Sequence, residues 1–226
     1  MAAGRCRLPR MSIATSLPIG DLVHPSTPAP RPERARLTAM RFELLPLDPD
    51  RDADDLYAVG HRGPGADLLW IYMAYGPFEH RDAMHEWLRT CAATDDPLFF
   101  VVIERESGRR VGMCSFLNIA PEMRRLEIGH IWYAPHLQGS GISAEVAWML
   151  LSEAVDRLGY RRVEWKCNAL NERSRRAALK LGFAFEGVFR QHMIVKGRNR
   201  DSAWFAMTDA DWPAARAVLE ARMQMR

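Results

Sequence analysis

The chain has 226 residues, 48% of them hydrophobic, a length that supports one well-buried core better than two. Its net charge of +3 is unevenly placed: residues 1–40 hold six Arg against Asp21 and Glu33, which leaves −1 on the remainder and argues against a nucleic-acid surface. Four scattered cysteines, Cys6, Cys91, Cys114 and Cys167, form no C-x-x-C pair and argue against a zinc site or a disulfide framework, so no metal is expected.

No stretch approaches the roughly 18 consecutive apolar residues that cross a bilayer. The N-terminal arginines are not followed by the unbroken apolar segment of a signal peptide, because Ser12, Thr15, Ser16 and Pro18 interrupt it. No membrane partner is expected, and the chain reads as cytoplasmic. Met11 is an alternative start, which would leave Met1 to Arg10 as a disordered leader. Pro9, Pro18, Pro25, Pro28, Pro30 and Pro32 exclude regular helix from residues 1–40. They predict an extension, partly disordered or wrapping a domain that occupies residues 41–226.

Phe42 to Leu47 predicts a first strand, and Asp50 to Ala58 a short helix with acidic residues in its first turn and Gly60 beyond its end. Leu68 to Phe78 is densely aromatic, and most of its rings should be core. Met84, Trp87, Leu88 and Cys91 then recur at helical spacing. Leu98–Glu104 and Val111–Ile119, joined through Ser107-Gly108, predict an antiparallel hairpin that Leu126–Tyr133 extends.

That third strand leads through Gln138-Gly139-Ser140-Gly141-Ile142-Ser143 into a helix. Glycines let a backbone come close to a ligand, and the first N–H groups of a helix attract an anion, so the turn suits a phosphate. An ordinary strand-to-helix turn fits the same residues. The helix carries Ala144, Ala147, Trp148, Leu151, Ala154, Val155 and Leu158 as an apolar stripe and ends at Gly159. Arg161–Cys167 predicts a strand parallel to the one before the helix. Asn171 should cap a short helix that stops at Gly182, and Phe183–Ile194, a turn at Lys196-Gly197-Arg198-Asn199 and Ala203–Met207 make the last hairpin. Thr208 to Asp211 should open a C-terminal helix. The expected fold is α/β, a mixed, mostly antiparallel sheet with one parallel pair, flanked by helices.

Three features fall in one order: Gln138-x-x-Gly141-x-Ser143, then Asn171-x-x-Ser174, then Gly182-Phe183 followed by Glu186-Gly187. The combination resembles the GNAT acyl-CoA N-acyltransferases, and Glu127-Ile128-Gly129 with Asp201-Ser202-Ala203-Trp204 bring it nearest the RimJ/RimL-type branch. The resemblance covers about residues 41–213. It departs at Ser143, where the family commonly has Gly or Ala, and at Gln138 and Ser140, where the family often has a basic residue.

The resemblance implies a GNAT fold whose central parallel pair splays to admit acetyl-CoA as cosubstrate. Ile131 and Tyr133 would pair with the pantetheine amides, and Gln138, Gly139, Ser140, Gly141, Ile142 and Ser143 would cradle the pyrophosphate, with Asn171 and Ser174 beside the cofactor. Acyl transfer to an amine protonated near neutral pH calls for a base. Glu127 is the candidate, on the strand where this branch places a carboxylate, although a surface Glu fits the same position. His130 is the reserve. Ser174 is placed by its motif as proton donor to the departing thiolate, and equally as a residue satisfying the first turn of a helix.

Trp70, Tyr72, Tyr75, Phe78 and His130 would wall the acceptor, with Arg190, His192 and Asp201 as weaker candidates. The acceptor is a primary amine, on a small molecule or at a protein N-terminus, and a homodimer is left open. Two further readings stand beside this one: an acyltransferase that uses a larger acyl-CoA, and a non-catalytic acyl-CoA-binding sensor or scaffold.

Overall fold

A computed structural model describes residues 18–224; the arginine-rich leader lies outside the described residues. The first strand, β1 (Leu37–Thr38), pairs with β2 (Phe42–Pro46), and helix α1 follows at Pro49–His61. Asp48 starts that helix by accepting from the N–H groups of Asp50 and Arg51, and Pro49 sits in the first turn, where no backbone N–H is needed. Helix α2 (Arg81–Ala92) comes next, then β3 (Leu98–Glu104), β4 (Arg110–Ala120), β5 (Arg125–Tyr133) and helix α3 (Ile142–Leu151). Strand β6 (Arg162–Asn168), helix α4 (Glu172–Lys180), strands β7 (Ala184–Val195) and β8 (Arg198–Thr208) and helix α5 (Trp212–Gln224) complete the described chain.

The strands form one eight-stranded sheet in the order β1-β2-β3-β4-β5-β6-β8-β7, antiparallel except for β5 and β6. Strand β3 shows why: Phe99, Val101 and Ile103 pack on the α1 and α2 face with Leu56, Met84 and Leu88, while Phe100 and Val102 pack on the other with Val146 and Leu150 of α3. A strand covered on both faces reads as an unbroken apolar run, as this one does. The N-terminal arm is attached as well, since Ala29 is buried and its N–H donates to the Pro121 carbonyl at 3.0 Å.

Three segments differ from the sequence expectation. The stripe predicted on α3 is too narrow: Val146, Met149 and Leu150 are buried too, because the helix lies between the sheet, where Val146 and Leu150 pack with Phe100 and Val102, and α5, where Trp148 Nε1 donates to Glu220 at 3.1 Å. The helix continues beyond Leu151 as a π-helical turn over Ser152–Arg157. The last hairpin is longer than predicted, with polar Arg198 to Asp201 paired into β8 and a two-residue turn at Lys196-Gly197, both at positive φ, as a tight hairpin requires. Thr208 to Asp211 is the cap of α5 rather than its first turn, the Asp211 carboxylate accepting from the Thr208 N–H and hydroxyl.

Between β4 and β5 the register slips twice. Ser115 faces Gly129 and Met113 faces Trp132, so β5 carries an extra residue at His130–Ile131, and His130 has φ +52°. Lower down Leu117 faces Glu127 and Ala120 faces Arg125, which leaves the extra residue on β4 at Asn118–Ile119, where Asn118 has φ +48°. Bulges bend a strand and increase its twist. The pairing of β5 with β6 ends after Arg125↔Arg162, Leu126↔Val163 and Glu127↔Glu164, while β6 stays on β8 along its whole length. The two strands therefore part in the middle of the sheet.

Glu145 braces the turn at the mouth of that gap. Fully buried in the first turn of α3, its carboxylate accepts from the Arg41 N–H at 2.8 Å, the Phe42 N–H at 3.3 Å and Arg41 Nε at 2.7 Å, and Arg41 Nη2 reaches the Ser140 carbonyl at 3.1 Å. Glu145→Ala strands two backbone donors and a guanidinium, so a loss of about 3 kcal/mol is expected, a melting temperature lower by roughly 6–12 °C for a chain of this size. Thermal denaturation followed by circular dichroism checks this; a drop under about 2 °C would show that the brace carries little.

Candidate active site

The gap between β5 and β6 opens into a cleft of about 600 Å³ whose walls include Ile131, Tyr133, Gln138, Gly139, Ser143 and Asn171. Ser174 lines it as well. The turn shapes the rim: Gly139 and Gly141 have φ +84° and +94°, values that favour glycine, and Gly141 is the N-cap of α3, so the helix presents its first N–H groups toward the cleft end. Ser140, Gly141 and Ile142 are not among its wall residues; Ile142 is fully buried, Ser140 and Gly141 are half-buried, and the Ser140 carbonyl is occupied by Arg41. The Ser143 hydroxyl interacts with the Tyr133 phenol.

A second cavity of about 260 Å³ adjoins the first, the two sharing Tyr72, Met73, Ile131, Trp165, Asn171 and Ser174 as walls. Glu127, His130 and Tyr75 line it. Glu127 is 2% exposed, and its Oε2 accepts from Lys166 Nζ at 2.9 Å and from Asn118 Nδ2 at 2.8 Å. Among the described residues no hydrogen bond falls on Oε1. Burial raises the Glu127 carboxyl above its ordinary pKa, and Lys166 and Asn118 pull part of that back. Asn118 reaches Glu127 because of the β4 bulge, which Asp96 fixes by accepting from the Asn118 and Ile119 N–H groups at 2.8 and 2.9 Å.

Burial, with Lys166 and Arg200 nearby, pushes His130 down to about 4, so the imidazole is neutral at pH 7 and a weak proton acceptor. Its Nδ1 lies 3.4 Å from the Tyr75 hydroxyl. Ser174 accepts from Trp165 Nε1 at 3.1 Å, which leaves its own proton to donate; that hydroxyl also interacts with the Cys167 thiol. Asn171 caps α4 by accepting from the Ser174 N–H at 3.1 Å and so fixes where the hydroxyl stands.

The aromatic run divides. Tyr72 and Tyr75 line the small cavity, whereas Trp70 is 1% exposed, donates from Nε1 to the Gly60 carbonyl at 2.8 Å and tilts against Trp132. Phe78 packs with Tyr75 and Trp87, its N–H on His61 Nε2 at 2.8 Å, and lines neither cavity. Arg190, His192 and Asp201 line neither as well; His192 Nδ1 bonds Ser202 Oγ at 2.9 Å, and Asp201 accepts from the Gln191 N–H. Two contacts draw the loop over the site: Tyr72 donates to the Leu170 carbonyl at 3.2 Å, and Lys196 at the hairpin tip donates to the Trp70 carbonyl at 2.7 Å.

Sequence reasoning missed Asn118, Lys166 and Arg200. The signal for Lys166 was present, since Glu164 and Lys166 alternate with Val163, Trp165 and Cys167 and put two charges on one face of a buried strand. Nothing in the sequence marks the bulge that turns Asn118.

Residues 41–184 match the family model of the acetyltransferase (GNAT) domain. A GCN5-related N-acetyltransferase from Brucella melitensis superposes with a TM-score of 0.84 at 38% identity, covering 87% of this chain and 89% of that one. Mycobacterium smegmatis RimJ, solved in complex with CoA-disulfide, has the same fold, with a TM-score of 0.70 at 23% identity over 84% of this chain and 95% of that one. Among curated proteins, the ribosomal-protein-serine acetyltransferase of Escherichia coli is 33% identical over 81 residues, 36% of this chain and 45% of the relative. The chain spans between 45% and 63% of the length of the curated relatives it matches. With the splayed β5–β6 pair, the glycine turn before α3 and a family match over residues 41–184, the chain belongs to the GNAT acetyltransferase family.

Proposed function

We propose that the chain moves an acetyl group from acetyl-CoA directly to a primary amine, with Glu127 as base and Ser174 as proton donor. The observation that carries this reading is a buried carboxylate in a small cavity joined to a cleft of cofactor size. The residues fit the cofactor. Helix α3 offers N–H groups and a positive dipole end to a pyrophosphate, and the parted strands leave backbone groups of β5 unpaired by β6 beyond Glu127. Acetyl-CoA supplies an activated thioester carbonyl; the protein's own groups do the rest.

Glu127 takes the proton as the amine nitrogen forms its bond to the acetyl carbon. Its raised pKa makes it a better acceptor than an ordinary carboxylate, and His130 at about 4 is a weak base, which supports Glu127 over His130 for this role. The bulge leaves His130 and Ile131 without register partners on β4, so a main-chain N–H there can stabilise the oxyanion that develops on the carbonyl. When the carbon–sulfur bond breaks, Ser174 donates its hydroxyl proton to the leaving thiolate and takes one back from solvent, to which Glu127 releases the proton it took from the amine. The name of the Escherichia coli relative specifies a serine of a ribosomal protein, which favours a protein N-terminus over a small molecule as acceptor.

Acetyl-CoA should raise the melting temperature, since a ligand held by the folded state alone adds RT ln(1 + [L]/Kd), about 2.7 kcal/mol at a hundredfold excess over Kd. Gly141→Glu puts a like charge where the pyrophosphate would lie and should remove the shift while far-UV circular dichroism still reports a folded chain. A shift of wild-type size in that variant would move the phosphate site elsewhere.

Glu127→Gln should lower turnover by roughly 10²- to 10⁴-fold at neutral pH with acetyl-CoA binding retained. The pH profile carries the sign. Wild-type activity is lost as pH falls through the raised Glu127 pKa, so the acidic limb lies above the ordinary carboxylate range. In the variant the limb follows the acceptor's own amine, and activity recovers in part as pH rises toward about 8 for an α-amine. Full activity at pH 7 would remove Glu127 from the chemistry, and an equal loss at every pH would make it structural.

A further inference from the structure

The small cavity holds a cation that the chemistry above does not use. Arg200, on β8, lines the cavity beside Glu127, Lys166 and Met193, and it is absent from the walls of the larger cleft, so it faces the acceptor side. Its Nε is buried and has no hydrogen-bond partner among the described residues. A guanidinium is an obligate cation with five donors in a fixed fork, and leaving a buried donor unpaired is costly unless something arrives to meet it. Burial lowers its pKa, and the charge of Glu127 across the cavity offsets only part of that.

The charges of the cavity wall do not cancel. Lys166 and Glu127 neutralise each other across 2.9 Å, and His130 is neutral at pH 7, which leaves Arg200 as an unbalanced positive charge. Such a pocket repels an amine that arrives only as a cation. It accepts one that brings its own negative charge, because the anion pairs with Arg200 while the amine faces Glu127. We propose that Arg200 is a specificity-determining residue that binds a carboxylate on the acceptor, placed within a few bonds of the amine to be acetylated. Planar carboxylates suit the guanidinium fork, which holds them through two parallel hydrogen bonds. The carboxylate could be the α-carboxylate of a free amino acid or an acidic side chain beside a peptide's N-terminus. This rests on reading the small cavity as the acceptor pocket.

The test uses two matched acceptor pairs: L-serine against L-serinamide, and amidated peptides beginning Ser-Asp against Ser-Asn. The wild type should favour the acid in one pair by about tenfold in kcat/KM, mostly through KM, a difference of about 1.4 kcal/mol. Which pair responds tells the two sources apart. Arg200→Gln should bring that preference to within about twofold and leave the KM for acetyl-CoA unchanged, and Arg200→Lys, which keeps the charge without the fork, should keep part of it. Acid and amide treated alike in both pairs by the wild type, or a preference that survives Arg200→Gln, would overturn the proposal while the acetyltransferase reading stands. Calorimetric titration of N-acetyl-L-serine and of N-acetyl-Ser-Asp peptide into the CoA-saturated protein separates the other failure. Binding that depends on Arg200 without turnover of any acceptor would support the carboxylate site and sink the reaction, and no binding of either compound would overturn the site.

Discussion

The parting of β5 from β6 is the constraint on which the rest of the molecule depends. Parallel strands normally share evenly spaced hydrogen bonds along their length, yet here three residue pairs form and the ladder stops. Breaking a sheet at its centre exposes backbone donors and acceptors that must find partners. The fold tolerates this because each strand is anchored on its outer side, β5 to β4 and β6 to β8, and because helices cover both faces. The open edge becomes a place where a ligand's amides can substitute for a neighbouring strand.

Two bulges convert that gap into a site. The one at His130–Ile131 turns β5 and leaves main-chain groups there without partners on β4; the one at Asn118–Ile119 swings an amide side chain onto the Glu127 carboxylate. Asp96 fixes the second bulge from the loop before β3, so the position of the proposed base depends on a residue 31 positions earlier in the chain. Holding the carboxylate on Oε2 by Lys166 and Asn118 orients it, and the same partners limit how far burial raises its pKa.

The sequence shows the element order well, because each strand and helix carries its own period and its own stop signals. Leu98–Glu104 and the cap at Asn171 come out as read. The glycine turn is legible for the same reason, since Gly139 and Gly141 adopt the positive φ for which glycine is selected. What the sequence hides depends on contacts between distant segments. Trp70 looks no different from Tyr72 in a run of rings, and burial against Trp132 and the Gly60 carbonyl separates them. The wider buried face of α3 depends on the sheet on one side and on α5, far later in the chain, on another. Arg200 was passed over because the return strand of the last hairpin read as starting at Ala203, and its place in the cavity exists only once β8 is extended by its pairing with β7.

The central claim is that the unpaired edge of β5 and the turn before α3 form one continuous binding surface for acetyl-CoA. Amide hydrogen exchange with and without acetyl-CoA tests it most directly, because exchange reports backbone groups one by one. The account predicts added protection at Ile131 and Tyr133 and across Gly139–Ser143, with the β2–β3 ladder unchanged. Protection confined to β7 and β8, or spread evenly over the domain without concentrating on β5 and the turn, would contradict it.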